Sequence, residues 1–315
     1  MAYYPVSEVN RGLNKRLGIE SDVSHIRKDN DSITDTELFV FSKSDSNNTK
    51  SGIIVVGVRG SEPSSLKDWI FTDFRLTHTP AFNDHSSGHN VHSGFDDALN
   101  SVWSTLLGDI KVRIGAFETY KLFITGHSLG GALSILIAAK LKHLSESSEN
   151  DSEKKIYKEM VDNLCVHTFG QPRVGNKSFC SWYDKGLFNQ TTRHIYAMDI
   201  IPRVPPEKGL QFKDKNKDDW RHCGQQAHYS KGGLRNSHND VLKFSALFFK
   251  GIKKPLTIRR ALHNHAPWAY LWVGEGLLTG KPKMFRPSEE LAYFAKYSSM
   301  AGKRLFRFYI GKSTD

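Results

Sequence analysis

The sequence predicts an α/β fold, a mixed and mostly parallel sheet flanked by helices, and two observations carry that expectation. Short apolar, β-rich runs recur at Glu37–Phe41, Gly52–Val58, Lys121–Thr125, Leu164–Phe169 and Arg193–Met198, with longer helix-like stretches between them. Helical spacing marks Gly94 to Ala116, where Phe95, Ala98, Leu99 and Val102 fall on one face, and an almost wholly apolar stretch marks a buried helix from Leu129 to Leu144. The first two runs are joined by the polar, turn-rich residues 42–51, which suits an antiparallel hairpin at one side of the sheet.

The chain has 315 residues, 38% of them hydrophobic, enough to bury a full core. No internal repeat and no linker rich in Pro or Gly divides it, so a single domain over 1–315 is expected. Residues 144–155, rich in Ser, Glu and Lys, read as an exposed loop or frayed helix end. No run of 18 apolar residues occurs, and the N-terminus lacks the basic start and apolar stretch of a secretory signal. The expectation is a cytoplasmic protein or one exported without a leader. Cys165, Cys180 and Cys223 match neither a disulfide framework nor a zinc-ligand spacing, and export would leave a Cys165–Cys180 bridge open.

The net charge of +11 is concentrated, because residues 207–262 hold 13 Lys and Arg against 5 Asp and Glu. No nucleic-acid-binding motif accompanies this stretch, so nucleic acid is not expected as a partner. A solvated surface and attraction to an anionic membrane remain two readings of it.

Residues 121–132 combine a short apolar strand, the pattern Gly126-His127-Ser128-Leu129-Gly130, and an apolar helix. The pattern alone is weak; the strand before and the helix after make it a nucleophile elbow of the α/β-hydrolase kind. The sharp turn strains Ser128, the flanking glycines let backbone approach backbone, and the helix aims free N–H groups at the place where an oxyanion would form. A serine needs a base, and the base needs a carboxylate to hold its tautomer. In this fold the order is Ser, acid, His. Asp199 follows an apolar strand and precedes Ile-Ile-Pro202, which places it at a strand's C-terminal edge as the natural acid. Five histidines follow it, His222, His228, His238, His263 and His265, and order alone does not choose among them.

Five segments in order resemble the class 3 lipases, whose best-studied members are fungal triacylglycerol lipases. They are Val58-Arg59-Gly60-Ser61 with Asp68-Trp69, Val91 to Phe95, Thr125 to Ala132, Thr168 to Asn176, and Asp199 to Pro206, within a likeness running from about Phe39 to Leu271. The resemblance implies that Asp199 is the triad acid and that the base is the histidine shortly before a Tyr-Leu pair, here His265 ahead of Tyr270-Leu271, with His263 as runner-up. It further implies oxyanion-hole donors at Ser61 and Leu129, and supporting places for His127 and His92 inside the matched segments. The stretch 207–262 then reads as a basic insertion and about 274–315 as a C-terminal extension.

Residues 64–74 open with helix-capping serines and set Leu66, Trp69, Ile70 and Phe74 on one helical face. The family's lid helix falls here, at about 61–74, so these four are expected to cover the site in water and meet acyl chains at a lipid surface. The implied activity is hydrolysis of lipid esters at an oil–water or membrane interface, triacylglycerol first. Phospholipase A1 and feruloyl-type esterase are alternatives, and an inactive lipid-binding module of the same fold is the non-enzymatic one. No metal and no cofactor is implied, and the sequence leaves the oligomeric state open.

Overall fold

The computed structural model describes residues 23–27, 36–60, 77–205, 207, 220–230, 233–237, 264–267, 269 and 270. The expected lid, with Leu66, Trp69, Ile70 and Phe74, lies outside the described residues, as do Ser61, His238, His263, most of 207–262 and the C-terminal extension.

Eight strands form the main sheet: β1 (Val23–Arg27), β2 (Glu37–Ser44), β3 (Ser51–Val58), β6 (Thr119–His127), β7 (Leu164–Phe169), β9 (Thr191–Tyr196), β11 (Gln225–Ser230) and β12 (Gly233–Ser237). They lie in the spatial order β1-β2-β3-β6-β7-β9-β11-β12. The inner pairings β3–β6, β6–β7, β7–β9 and β9–β11 are parallel, while antiparallel pairs close both edges. This is the α/β-hydrolase fold. The expected hairpin is present, with Phe41 opposite Val55 and Leu38 opposite Val58. A second, antiparallel sheet joins β4 (His78–Pro80), β5 (Asn90–His92), β8 (Gly175–Asn176) and β10 (Trp220–Arg221).

The helices are α1 (Ser93–Ile114), α2 (Leu129–Ser147), α3 (Asp151–Asp162) and α4 (Lys177–Leu187). In α1 the buried residues Phe95, Leu99, Val102, Leu106 and Ile110 recur at intervals of three and four, which lays one stripe on the sheet. The helix α2 is buried almost all round and packs against β6 and β7. Their alternate residues Leu122, Ile124, Leu164 and Val166 point into the same core. The fold therefore holds the first turn of α2 rigidly at the C-terminal end of the parallel strands, where sites form in open α/β sheets.

The stretch 144–155, expected as an exposed loop or frayed helix end, holds the end of α2 and the start of α3. Only 148–150 separate α2 from α3, and the Asn150 side chain caps the new helix by accepting from the N–H groups of Ser152 and Glu153. Helix α3 buries just Tyr157 and Met160, which is why its Glu- and Lys-rich start read as an exposed loop or frayed end. A Cys165–Cys180 bridge is not what the fold brings together: Cys165 sits on β7, whereas the Cys180 sulfur lies 2.9 Å from that of Cys223.

A polar ladder crosses three of the parallel strands. His167 Nδ1 lies 3.2 Å from His194 Nε2, and His194 Nδ1 lies 2.8 Å from the Tyr229 hydroxyl, with the Phe169 ring stacked on His194. Burial, and secondly the neighbouring His167, pushes the His194 imidazole down to about 4; burial also lowers His167. Both rings bind a proton less readily folded than unfolded, so the unfolded chain takes up the extra protons below its ordinary histidine value near 6.5. Stability should be fully present above about pH 6.5 and fall as pH drops toward 4, by up to about 3 kcal/mol for His194. Thermal melts across that window should show the decline, and His194→Gln should flatten its slope even if it lowers the melting temperature throughout; an unchanged slope would exclude His194 as a source.

Candidate active site

Ser128 stands between β6 and α2 with φ 59° and ψ −126°, a conformation that L-residues rarely adopt. The turn is sharp enough that a Cβ on Gly126 would sit 2.2 Å from the Gly130 carbonyl oxygen, so neither strand end nor helix start could carry a side chain there. The Ser128 N–H donates to the Phe169 carbonyl at 2.9 Å, which ties the elbow to the end of β7. Leu129 is the first residue of α2, where backbone N–H groups have no intrahelical acceptor and the helix dipole is positive.

Asp199 follows the turn after β9, in which Ala197 takes φ 48°, and it is fully buried. A buried carboxylate must be supplied with donors. Its Oδ1 accepts from the Ile201 N–H at 2.9 Å, and its Oδ2 accepts from His265 Nδ1 at 2.9 Å and from the Tyr270 hydroxyl. Tyr270 in turn accepts from the Tyr196 N–H at 3.2 Å. Burial, and then the Asp199 charge, holds the Tyr270 phenol well above its ordinary range, so it remains a protonated donor.

His265 is also fully buried. With Asp199 as acceptor, the proton of the neutral ring sits on Nδ1 and Nε2 is left as a bare acceptor. The ring packs 4.5 Å from that of His127, whose Nε2 donates to the His265 carbonyl at 2.7 Å. Burial, followed by the neighbouring His265, keeps His127 well below its ordinary value and therefore neutral, with its one proton committed to that carbonyl. Ser128 Oγ and His265 Nε2 are both buried, and among the described residues neither meets a hydrogen-bonding partner. Orphaned buried groups each cost roughly 1–3 kcal/mol, which folding alone would not retain. A hydroxyl on a strained elbow, next in sequence to the His127 ring on which the His265 imidazole packs, is an arrangement able to carry out acyl transfer.

The other expected residues fall as follows. His222 Nε2 lies 2.6 Å from the Pro202 carbonyl and His228 Nε2 2.8 Å from the Ala197 carbonyl, so both rings bond backbone of the loop that carries Asp199. His92 stacks on Phe95 and packs near Trp220, as part of the smaller sheet. Just before the expected Ser61, Arg59 is anchored by an ion pair from Nη1 to the buried Glu37 at 2.7 Å and by its N–H to the Glu37 carbonyl at 2.9 Å. Among the described residues no cluster of three or more His, Cys, Asp and Glu is placed to hold a metal ion.

Sequence reasoning missed three residues that build the site. Glu37 is one. Arg173 is another: fully buried, it donates from Nη1 to the carbonyls of Arg203 and Pro205, both at 2.6 Å, and so clamps the loop after Asp199. A buried Arg holding carbonyls is foreshadowed only by its place in the segment Gln171-Pro172-Arg173. The third is Gly170, whose φ is +61° and whose absent Cβ would meet Asp199 Oδ2 at 2.7 Å and His265 Nδ1 at 2.8 Å. No side chain can stand there while the carboxylate and imidazole are bonded.

Residues 55–209 match the family model for "Lipase (class 3)". Over that stretch the chain is similar to the class 3 lipases. A lipase of Rhizomucor miehei is 33% identical over 175 residues, 55% of this chain and 42% of that protein. A secreted mono- and diacylglycerol lipase of Fusarium solani is 32% identical over 153 residues, 49% of this chain and 39% of the other. The chain thus spans less than half the length of these curated relatives. Among solved structures, a triacylglyceride lipase of Rhizomucor miehei superposes with a TM-score of 0.53 at 26% identity, covering 78% of this chain and 80% of that one.

The contacts at Gly170 give a direct expectation. Gly170→Ala combines a positive φ with displacement of a buried carboxylate or imidazole, and should destabilise the fold by about 1–3 kcal/mol. Urea denaturation would measure it, and a stability equal to the parent would mean that the Asp199–His265 bond does not press on this position.

Proposed function

We propose that this chain is a serine carboxylic-ester hydrolase acting on lipid esters, triacylglycerol first, through an acyl-enzyme intermediate. One observation carries the proposal: a buried His265 has Nδ1 fixed on Asp199 and its ring packed on His127, the neighbour of Ser128 on the strained elbow, while among the described residues its Nε2 and the buried Ser128 hydroxyl meet no partner. In this reading Ser128 attacks the ester carbonyl while His265 Nε2 takes its proton. Asp199 holds the tautomer and offsets the imidazolium charge, and His265 then returns the proton to the leaving alcohol. Water repeats the sequence on the acyl-enzyme. The alkoxide is stabilised by the Leu129 N–H at the start of α2 and by Ser61, two donors each worth roughly 3–4 kcal/mol in the transition state. His127 supports the base through its bond to the His265 carbonyl.

Acylglycerol is preferred over an aryl ester because similar proteins of Rhizomucor and Fusarium are named as a lipase and as a mono- and diacylglycerol lipase. The sequence spacing that predicts one apolar face from Leu66, Trp69, Ile70 and Phe74 supports an interfacial substrate. Uncovering such a face costs free energy in water at about 25 cal/mol per Å² and recovers it against lipid. The excess of Lys and Arg in 207–262 favours anionic phospholipid as the second substrate class, through attraction to a negative surface.

Ser128→Ala and His265→Ala should each lower turnover of a dissolved p-nitrophenyl ester by at least about 10⁴-fold, and Asp199→Asn by a comparable factor through the wrong tautomer. Wild-type rates on triolein, phosphatidylcholine and methyl ferulate, measured side by side, should rank triolein first and rise steeply once an emulsion forms. Parent-like turnover in any of the three variants would remove that residue from the mechanism. Methyl ferulate as the best substrate would withdraw the lipid assignment while leaving the serine esterase.

A further inference from the structure

Cys180 and Cys223 stand on separate elements, and the fold presses them together. Cys180 lies in the first turns of α4 and Cys223 in the loop between β10 and β11, 43 residues further on. Both are buried, and their sulfurs are 2.9 Å apart, less than an ångström beyond the disulfide bond length of about 2.05 Å. The approach is held by other contacts. Asp184, one turn beyond Cys180 on α4, accepts from the Gly224 N–H at 2.7 Å through Oδ1, so the residue after Cys223 is fixed to the same helix. Gly224 turns the chain at φ +75°. Cys165, on β7, is the remaining cysteine and is not part of this arrangement.

We propose that Cys180 and Cys223 are a disulfide-forming pair, closed during folding by a small disulfide oxidant such as glutathione disulfide. A thiolate of one cysteine attacks the oxidant, forming a mixed disulfide and releasing one glutathione thiolate. The second cysteine's thiolate then attacks the protein-side sulfur, forming the S–S bond and releasing the other. Two protein thiols lose two electrons and two protons, and one glutathione disulfide becomes two glutathione thiols. Once the chain is folded, burial pushes the Cys223 thiol well above its ordinary range and shields both sulfurs. The folded reduced protein should therefore oxidise slowly and the folded oxidised protein resist reduction.

The bond would brace the loop that bears the acid. His222, next to Cys223, touches the Pro202 carbonyl at 2.6 Å, three residues from Asp199, so α4 would be tied through residues 222–224 to that loop. This bracing of the acid loop rests on the function proposed above; the cross-link itself does not.

The test uses the full chain refolded in a glutathione and glutathione disulfide buffer, then alkylated under denaturing conditions, digested and mapped by mass spectrometry. Expected are a linked Cys180–Cys223 peptide, about 2 Da lighter than its two reduced halves, and alkylation of Cys165 alone. The oxidised protein should melt about 5–10 °C above the same protein folded with reductant, and Cys180→Ala/Cys223→Ala should abolish that difference. Alkylation of all three cysteines, or a bridge containing Cys165, would overturn the proposal, and the mapping decides it even if the double variant does not fold. Oxidised and reduced forms with equal melting temperatures would overturn the bracing role. If the bond forms but no ester is turned over, the enzymatic reading fails and the disulfide stands.

Discussion

Asp199 is a carboxylate removed from water, and a buried charge persists only where donors surround it. Three groups converge on its two oxygens: the Ile201 N–H, the Tyr270 hydroxyl and His265 Nδ1. Two distant parts of the chain deliver them. The loop after β9 supplies the first, and the segment 264–270 supplies the other two. Removing the histidine would leave the carboxylate short of one donor, and removing the carboxylate would free the imidazole to take the other tautomer. The site is thus held by the cost of breaking it, and Ser128 Oγ and His265 Nε2, buried and without a partner among the described residues, are where chemistry can occur.

The sheet makes this convergence possible by ending three neighbouring parallel strands at one level. β6 ends at the Ser128 elbow, β7 at Gly170, and β9 shortly before Asp199. The Ser128 N–H bonds the Phe169 carbonyl and the Gly170 N–H bonds the His194 carbonyl, so the three strand ends are stitched across. Arg173 then pins the outgoing loop by two carbonyls, and its Nη2 lies 3.5 Å from Glu207, which also pairs with Arg221. A buried guanidinium is retained because it satisfies backbone groups that could not reach water.

Much of this was legible in the sequence where periodicity or spacing had a mechanical reason. The central strands read as β-branched runs because they are covered on the helix side, and α2 read as buried because nearly every position is apolar. The edges did not read. β1 is Val-Ser-His-Ile-Arg and β11 is Gln-Gln-Ala-His-Tyr-Ser, sequences with little apolar content whose strand state is imposed by pairing with β2 and β9. Helix α3 carries a short stripe, Ile156, Tyr157, Met160 and Val161, that lies beyond the polar stretch 144–155. At the site, the elbow and the acid's position at a strand end followed from the residues, but the base came from resemblance, because five histidines satisfy chain order. The roles of Glu37, Gly170 and Tyr270 depend on contacts between distant segments, such as the 71 residues that separate Asp199 from Tyr270. No local pattern encodes these contacts.

In the proposed function Ser128 is made nucleophilic by the Asp199–His265 pair. Exposing the full chain to a long-chain alkyl phosphonate, then digesting it and locating the adduct by mass spectrometry, addresses that claim most directly. Expected is a single covalent adduct on Ser128 at close to one per chain, with no other serine modified, because this hydroxyl stands on a strained elbow at a helix start and follows His127, on which the His265 ring packs. An adduct on a different residue, or no adduct on a folded chain, would contradict that claim.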